Sequence, residues 1–165
     1  MSELVETTVD IAAATDSVKQ IGGLRYLVIA HISKKNNVAL LIKTALAYEF
    51  VPIIVGLLNI IDAALSEYLH FETLECCKEY LISMQIPLVG IEIMKESLSV
   101  KDFPFTQSIA VMPGNEGTGL NSRQKKCCDS FVYIPQYGNG TASLNVNVAT
   151  TIVIHSYHVW SKCNA

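Results

Sequence analysis

Short apolar segments alternate with helix-like segments along most of the chain, and this alternation constrains the fold more than any other feature. We predict strands at residues 25–30, 51–56, 86–93, 107–112 and 129–134. We predict helices at residues 37–48, 62–69, 72–84, 121–126 and 143–161, with Asn37 and Ser143 as N-caps. Because parallel strands need crossover connections, this order predicts an α/β fold, with a mainly parallel sheet and helices on both faces.

The length of 165 residues suits one domain. Half of the residues are apolar and 16% are charged, which excludes an intrinsically disordered chain. We predict that residues 1–23 form a tail or a short helix and that residues 24–165 form the domain. Residues 95–105 are the only long irregular segment in the middle, and we interpret them as a mobile loop.

No segment has the pattern of an export signal or a membrane span. The first sixteen residues are acidic and rich in Thr and Ala. The longest apolar stretch, residues 38–61, is interrupted by Lys43, Glu49, Pro52 and Asn59. We therefore expect an intracellular, cytoplasmic protein that does not enter a membrane.

The charge pattern gives little indication of a nucleic-acid partner. The net charge is −3, and only two local basic clusters stand out, Lys34 with Lys35 and Arg123 with Lys125 and Lys126. These clusters could form a basic rim for a polyanion, but an ordinary solvated face is the better interpretation of any one of them.

A glycine-bearing segment at residues 112–120, MPGNEGTGL, follows a predicted strand and precedes a predicted helix. Its glycines do not have the GxGxxG order of a dinucleotide site, and no Lys-Ser or Lys-Thr follows to make a phosphate-binding P-loop. On spacing alone, a plain strand-to-helix turn and a ligand-binding loop are equally compatible with this first glycine loop.

A second glycine loop, at residues 134–145, has the sequence IPQYGNGTASLN and the same position between a strand and a helix. Ligands in open α/β folds bind at the carboxyl edge of the sheet. Two such loops after neighbouring strands would meet at that edge, so the sequence predicts a pocket there.

The two loops together resemble motifs two and three of the SpoU (TrmH-type) RNA 2′-O-ribose methyltransferases of the SPOUT superfamily. The matching residues are GNEGTGLN, then IPQYG and SLNVNVA. Motif one, an Asn with a basic residue six positions on, is similar to KKNNVALLIKTA, residues 34–45. The resemblance covers about residues 24–160.

This resemblance implies that the C-terminal part forms a deep trefoil knot, one of the rare exceptions to unknotted folds. It also implies a homodimer and S-adenosylmethionine as the cofactor, with S-adenosylhomocysteine as the product. The implied cofactor-binding residues lie in the two loops: Met112, Pro113, Gly114, Asn115, Gly117, Ile134, Gln136, Gly138, Ser143 and Leu144.

The resemblance further implies methylation of a ribose 2′-hydroxyl of tRNA or rRNA. The implied catalytic residues are Asn37, Lys43, Glu116, Ser143 and Asn145. Lys43 stands where the family typically has arginine, and lysine lacks the flat guanidinium fork that grips phosphate. A catalytically silent cofactor- or RNA-binding module is therefore the alternative, and a partner protein could deliver the RNA.

Other signals are weaker. His155 and His158 have the spacing of two metal ligands, but no third ligand accompanies them, so we expect no metal. The five cysteines suit reduced thiols, and Cys127 and Cys128 suit core positions rather than nucleophiles. A nucleotide-binding oxidoreductase is disfavoured because no acidic residue lies at the right distance beyond a GxGxxG turn.

Overall fold

A parallel sheet of seven strands forms the centre of the molecule. The computed structural model describes residues 23–56, 68–139 and 143–164. The strands are β1 (Arg25–Ala30), β2 (Val51–Val55), β3 (Leu69–Phe71), β4 (Leu88–Ile91), β5 (Leu98–Ser99), β6 (Ile109–Pro113) and β7 (Ser130–Tyr133). Their spatial order is β3-β2-β1-β6-β4-β7-β5, and every described pairing is parallel. The predicted α/β class and parallel sheet are confirmed.

Helices cover both faces of the sheet. They are α1 (Lys35–Ala47), α2 (Leu74–Ser83), α3 (Ser122–Cys127) and α4 (Val146–Cys163). All of β1 is buried, and its side chains alternate between two cores. Leu27 packs in the core that includes residues of α1 and α4, whereas Val28 packs in the core that includes residues of α2. This double burial explains why the strands are continuous apolar runs.

Both predicted helix caps are wrong. Helix α1 begins at Lys35 after Lys34, which makes no side-chain capping bond, and Asn37 lies inside the first turn. At α4 the N-cap is Asn145, whose side chain accepts a hydrogen bond from the Asn147 N–H. Asn37 does not cap because its side chain is bonded to other segments of the chain.

Two short strands lie where the sequence predicts other structure. Leu69 was predicted to end a helix but begins β3. The predicted loop at residues 95–105 contains β5, a two-residue strand that pairs with β7. Most of the predicted helix at residues 62–69 lies outside the described residues. The predicted tail at residues 1–23 lies almost wholly outside them.

Among the described helices, none is both long enough and apolar enough to cross a bilayer.

Candidate active site

The two glycine loops line one cavity at the carboxyl edge of the sheet. Its volume is about 420 Å³, within the range of small-molecule pockets. The first loop follows β6 and the second follows β7, and the end of β4 lies between them. The predicted residues that line the cavity are Pro113, Gly114, Asn115, Glu116, Gly117, Ile134, Gln136, Ser143 and Leu144.

Five predicted site residues lie elsewhere. Met112 is fully buried in the core beneath the first loop, and Gly138 is exposed beside the cavity without lining it. Asn145 caps α4. Asn37 lies behind the first loop, and Lys43 lies on the exposed side of α1.

The first glycine loop is held in a defined shape by its own backbone and by the β1–α1 connection. Asn115 and Gly119 exchange two backbone hydrogen bonds, of 3.1 and 2.9 Å. The Asn115 amide also donates to the His31 carbonyl and to the Ser33 hydroxyl, both at 2.8 Å. The side-chain NH2 of Asn115 therefore tethers the loop to the β1–α1 connection.

A chain of side-chain hydrogen bonds joins this loop to α1 and α4. Asn37 donates to the Glu116 carboxylate, and Asn147 donates to the Asn37 side-chain oxygen at 3.0 Å. The resemblance names Asn37 and Glu116 but not Asn147, which sequence reasoning missed. Its helical position two residues after Asn145 gives no signal of this contact, because the contact depends on how α1 and α4 pack.

Lys43 is remote from this network. Asn37 lies on the side of α1 that faces α4, whereas Lys43 is exposed and makes no ion pair or hydrogen bond with any described residue. Within one chain it does not line the cavity.

Sequence reasoning also missed the wall of the cavity that β4 provides. This wall consists of Ile91, Glu92 and Ile93. The other lining residues that were missed are Thr118, Gly119, Tyr133, Val146 and Ala149. The available signal was the position of Glu92 directly after a buried parallel strand, since carboxyl ends of such strands meet at one edge.

The cysteines and basic clusters lie outside this chemistry. Burial raises the pKa of both the Cys77 and the Cys128 thiols to about 12, so these thiols stay protonated at neutral pH. Arg123 is paired with Glu75, which neutralises part of one basic cluster. No set of three metal-ligating side chains occurs within the described ranges, and His155 contacts the Tyr48 hydroxyl instead.

A parallel α/β sheet with a cavity between two loops at its carboxyl edge is the architecture of small-molecule-binding α/β enzymes. Within that class, the model of the SpoU rRNA Methylase family matches residues 25–155. The chain therefore belongs to the SpoU rRNA methylase family, and the resemblance predicted from the motifs is confirmed.

Two curated relatives show the same likeness over part of the chain. The 23S rRNA (guanosine-2′-O-)-methyltransferase RlmB of Acinetobacter baylyi is 34% identical over 70 residues, covering 42% of this chain and 28% of that protein. The tRNA (guanosine(18)-2′-O)-methyltransferase of Aquifex aeolicus is 32% identical over 68 residues, covering 41% and 32%. The matches thus span about a third or less of these relatives.

A solved structure shows the same fold. The SpoU methyltransferase AviRb from Streptomyces viridochromogenes, in complex with AdoMet, superimposes with a TM-score of 0.72 at 21% identity. The superposition covers 88% of this chain and 60% of AviRb.

Proposed function

We propose that this protein is an S-adenosylmethionine-dependent RNA methyltransferase that methylates a ribose 2′-hydroxyl of tRNA or rRNA. The observation that carries the proposal is the single cavity lined by both glycine loops, beside the Asn37–Glu116 hydrogen bond. Membership of the SpoU family supports it, as do the names of the two curated relatives.

The lining residues fit S-adenosylmethionine. Ile91, Ile134 and Leu144 provide apolar surface for an adenine ring, and exposed loop backbone provides hydrogen-bonding groups. Glu92 and Glu116 are carboxylates, and no Lys, Arg or His lines the cavity among the described residues, which suits a cationic ligand. The bound cofactor supplies the electrophilic methyl group.

The protein must orient the ribose oxygen and remove its proton. We propose that Asn37 holds the Glu116 carboxylate in one orientation and that Ser143 and Asn145 set the second loop and the substrate. Lys43 acts on the 2′-hydroxyl or its neighbouring phosphate. Because Lys43 does not line the cavity of its own chain, this role requires a second copy.

We propose a homodimer through the exposed sides of α1 and α4. Leu40 and Leu46 flank Lys43 on α1 and are each 48% exposed. On α4, Val148 and Val159 are 47% and 50% exposed. The α4 surface begins beside Leu144, which lines the cavity, so a second copy packed there by two-fold symmetry would bring its own Lys43 towards that cavity.

We also propose that the C-terminal part forms the trefoil knot. The strand order supports this, because β7 lies between β4 and β5, which are consecutive in sequence. The β4–β5 connection therefore passes over β7, and the chain after β7 continues into α4, which packs on α1, β4 and β6. The acidic net charge supports RNA capture that is shared with a partner protein.

The test is transfer of a labelled methyl group from S-adenosylmethionine to total RNA, followed by nucleoside analysis. The expected product is a 2′-O-methylated nucleoside, lost in Glu116→Ala and Lys43→Ala and retained in the exposed control Lys95→Ala. Methylation of a base would contradict the ribose assignment. If the protein binds the cofactor but transfers no methyl group, even when cell extract supplies a partner protein, the catalytically silent binding module would be favoured.

A further inference from the structure

Glu92 makes side-chain contacts that tie it to the first glycine loop. It directly follows β4, and its Oε2 accepts a hydrogen bond of 2.7 Å from the Leu120 N–H. Its Oε1 accepts one of 3.2 Å from the Ile93 N–H. The Leu120 contact joins residues 28 positions apart, and Glu92 and the neighbouring Gly119 both line the cavity.

The backbone of Glu92 is bonded to the other side of the site. Its N–H donates to the Val132 carbonyl in β7, the strand that leads into the second glycine loop, at 3.1 Å. Its carbonyl accepts a 2.8 Å bond from the Ser97 hydroxyl, which also accepts the Met94 N–H. Glu92 thus connects the end of the first glycine loop to β7, the strand that precedes the second.

Gly119 is matched to this carboxylate. A Cβ atom on Gly119 would lie 2.3 Å from Glu92 Oε2, so the carboxylate would have to move away from its present position. Gly119 also has a φ of +69°, in the left-handed region that favours glycine. The absence of a side chain at residue 119 lets the carboxylate reach the Leu120 N–H.

We propose that Glu92 is a positioning residue, which holds the first glycine loop against β4 in the conformation that binds the cofactor. This inference rests on the proposed function and adds a residue to it. Without the carboxylate, the Leu120 N–H loses its partner, and the segment between Gly119 and the start of α3 is anchored less firmly. We expect loss of the carboxylate to weaken cofactor binding rather than methyl transfer, because the chemistry takes place at other residues.

The experiment compares Glu92→Ala and Glu92→Gln with wild type and with Glu96→Ala, which changes an exposed glutamate in the same β4–β5 connection. We expect Glu92→Ala to raise the Kd and the KM for S-adenosylmethionine about tenfold or more, as loss of a charged hydrogen bond does. The kcat at saturating cofactor should change less than about threefold. Glu92→Gln keeps one acceptor and should recover part of the loss, and Glu96→Ala should resemble wild type.

A second readout does not need the cofactor. Amide hydrogen exchange of Leu120 should become faster in Glu92→Ala, while exchange in β1 stays unchanged. If Glu92→Ala does not fold, Glu92→Gln carries the same comparison, because it removes the charge while keeping the size of the side chain.

The outcomes separate this inference from the proposed function. Wild-type protein that binds no S-adenosylmethionine overturns the proposed function, and the role of Glu92 in cofactor binding falls with it. Wild-type protein that binds, together with variants of unchanged Kd or unchanged Leu120 exchange, overturns the inference alone. A tenfold weaker Kd with faster Leu120 exchange supports both.

Discussion

Asn37 on α1 donates its side-chain amide to the carboxylate of Glu116, 79 residues further along the chain. Asn147 on α4 donates in turn to Asn37. The side-chain N–H of Asn37 donates to a Glu116 carboxylate oxygen and so fixes the orientation of that carboxylate. The contact joins helix α1 to the first glycine loop, at the edge of the cavity.

Substituting Asn37 should therefore impair methyl transfer without unfolding the protein. We expect Asn37→Ala to lower kcat/KM about tenfold or more, because it removes one charge-assisted hydrogen bond. Asn37→Asp should be worse, since two carboxylates would then face each other. The neighbouring Asn36, which is exposed, supplies the matched control Asn36→Ala. Equal activity of the Asn36 and Asn37 variants would remove Asn37 from the site.

Two glycines of the first loop should respond differently to alanine. A Cβ on Gly114 would lie 2.5 Å and 2.6 Å from backbone atoms of Gly119 and Leu120. Backbone cannot yield cheaply, so Gly114→Ala should destabilise the protein by about 2 kcal/mol or more. Gly117 has open space around it but a φ of +81°, so Gly117→Ala should cost only about 1 kcal/mol.

Urea unfolding of both variants measures this difference in the free energy of unfolding. Equal losses of stability would contradict the close approach of the loop backbone at Gly114.

The buried Tyr157 hydroxyl should contribute to stability. It donates to the Gln107 carbonyl at 2.5 Å, just before β6, and the ring is fully buried. Tyr157→Phe leaves that carbonyl without this donor, and we expect a loss of about 1 kcal/mol in urea unfolding. Tyr137 is 90% exposed, so Tyr137→Phe is the control and should be neutral. A neutral Tyr157→Phe would show that α4 is not anchored through this bond.

Alkaline pH should destabilise the fold through two thiols. The pKa of Cys77 and of Cys128 is raised by burial from 9.0 to about 12. Below about pH 9 the thiols are protonated in both states and contribute no pH dependence. Above it the unfolded chain loses protons that the folded chain keeps, so stability falls as pH rises towards 12.

Urea unfolding at about pH 8 and pH 10 tests this pH dependence, with Cys77→Ala as the comparison. The variant should show a shallower fall in the free energy of unfolding. A free energy of unfolding that rises between about pH 8 and pH 10 in the wild type would contradict this prediction.

The sequence predicted those parts of the fold that are determined by the local pattern of apolar residues. Strand β1 is buried on both faces, so it is a continuous apolar run, and the first glycine loop directly follows β6, which is buried along its whole length. Strand β3 is three residues long with an exposed His70, and β5 is two residues long, so neither carries a periodic signal. These strands exist because neighbouring strands offer them hydrogen bonds.

The candidate site shows the same difference between what local sequence determines and what tertiary packing determines. The sequence predicted a pocket because two loops at one sheet edge meet there, and the family resemblance named Pro113 and Ile134 within it. The contact of Asn147 could not be predicted, since it depends on the packing of α1 with α4. For Glu92 the sequence offered only its position after a buried strand, because its contacts depend on the register of β4 with β7. Asn37 was predicted as a cap from its helix-start position, but tertiary hydrogen bonds outweighed that local preference.

The most direct test of the central claim is calorimetric titration of the protein with S-adenosylmethionine, alongside an Ala149→Phe variant. Ala149 lines the cavity, so a phenyl ring there would occupy space that the cofactor needs. We predict one cofactor bound per chain in the wild type. We predict no binding by Ala149→Phe, with a melting temperature equal to that of wild type. Absence of wild-type binding, or equal binding by the two proteins, would contradict the assignment of this cavity as the cofactor site.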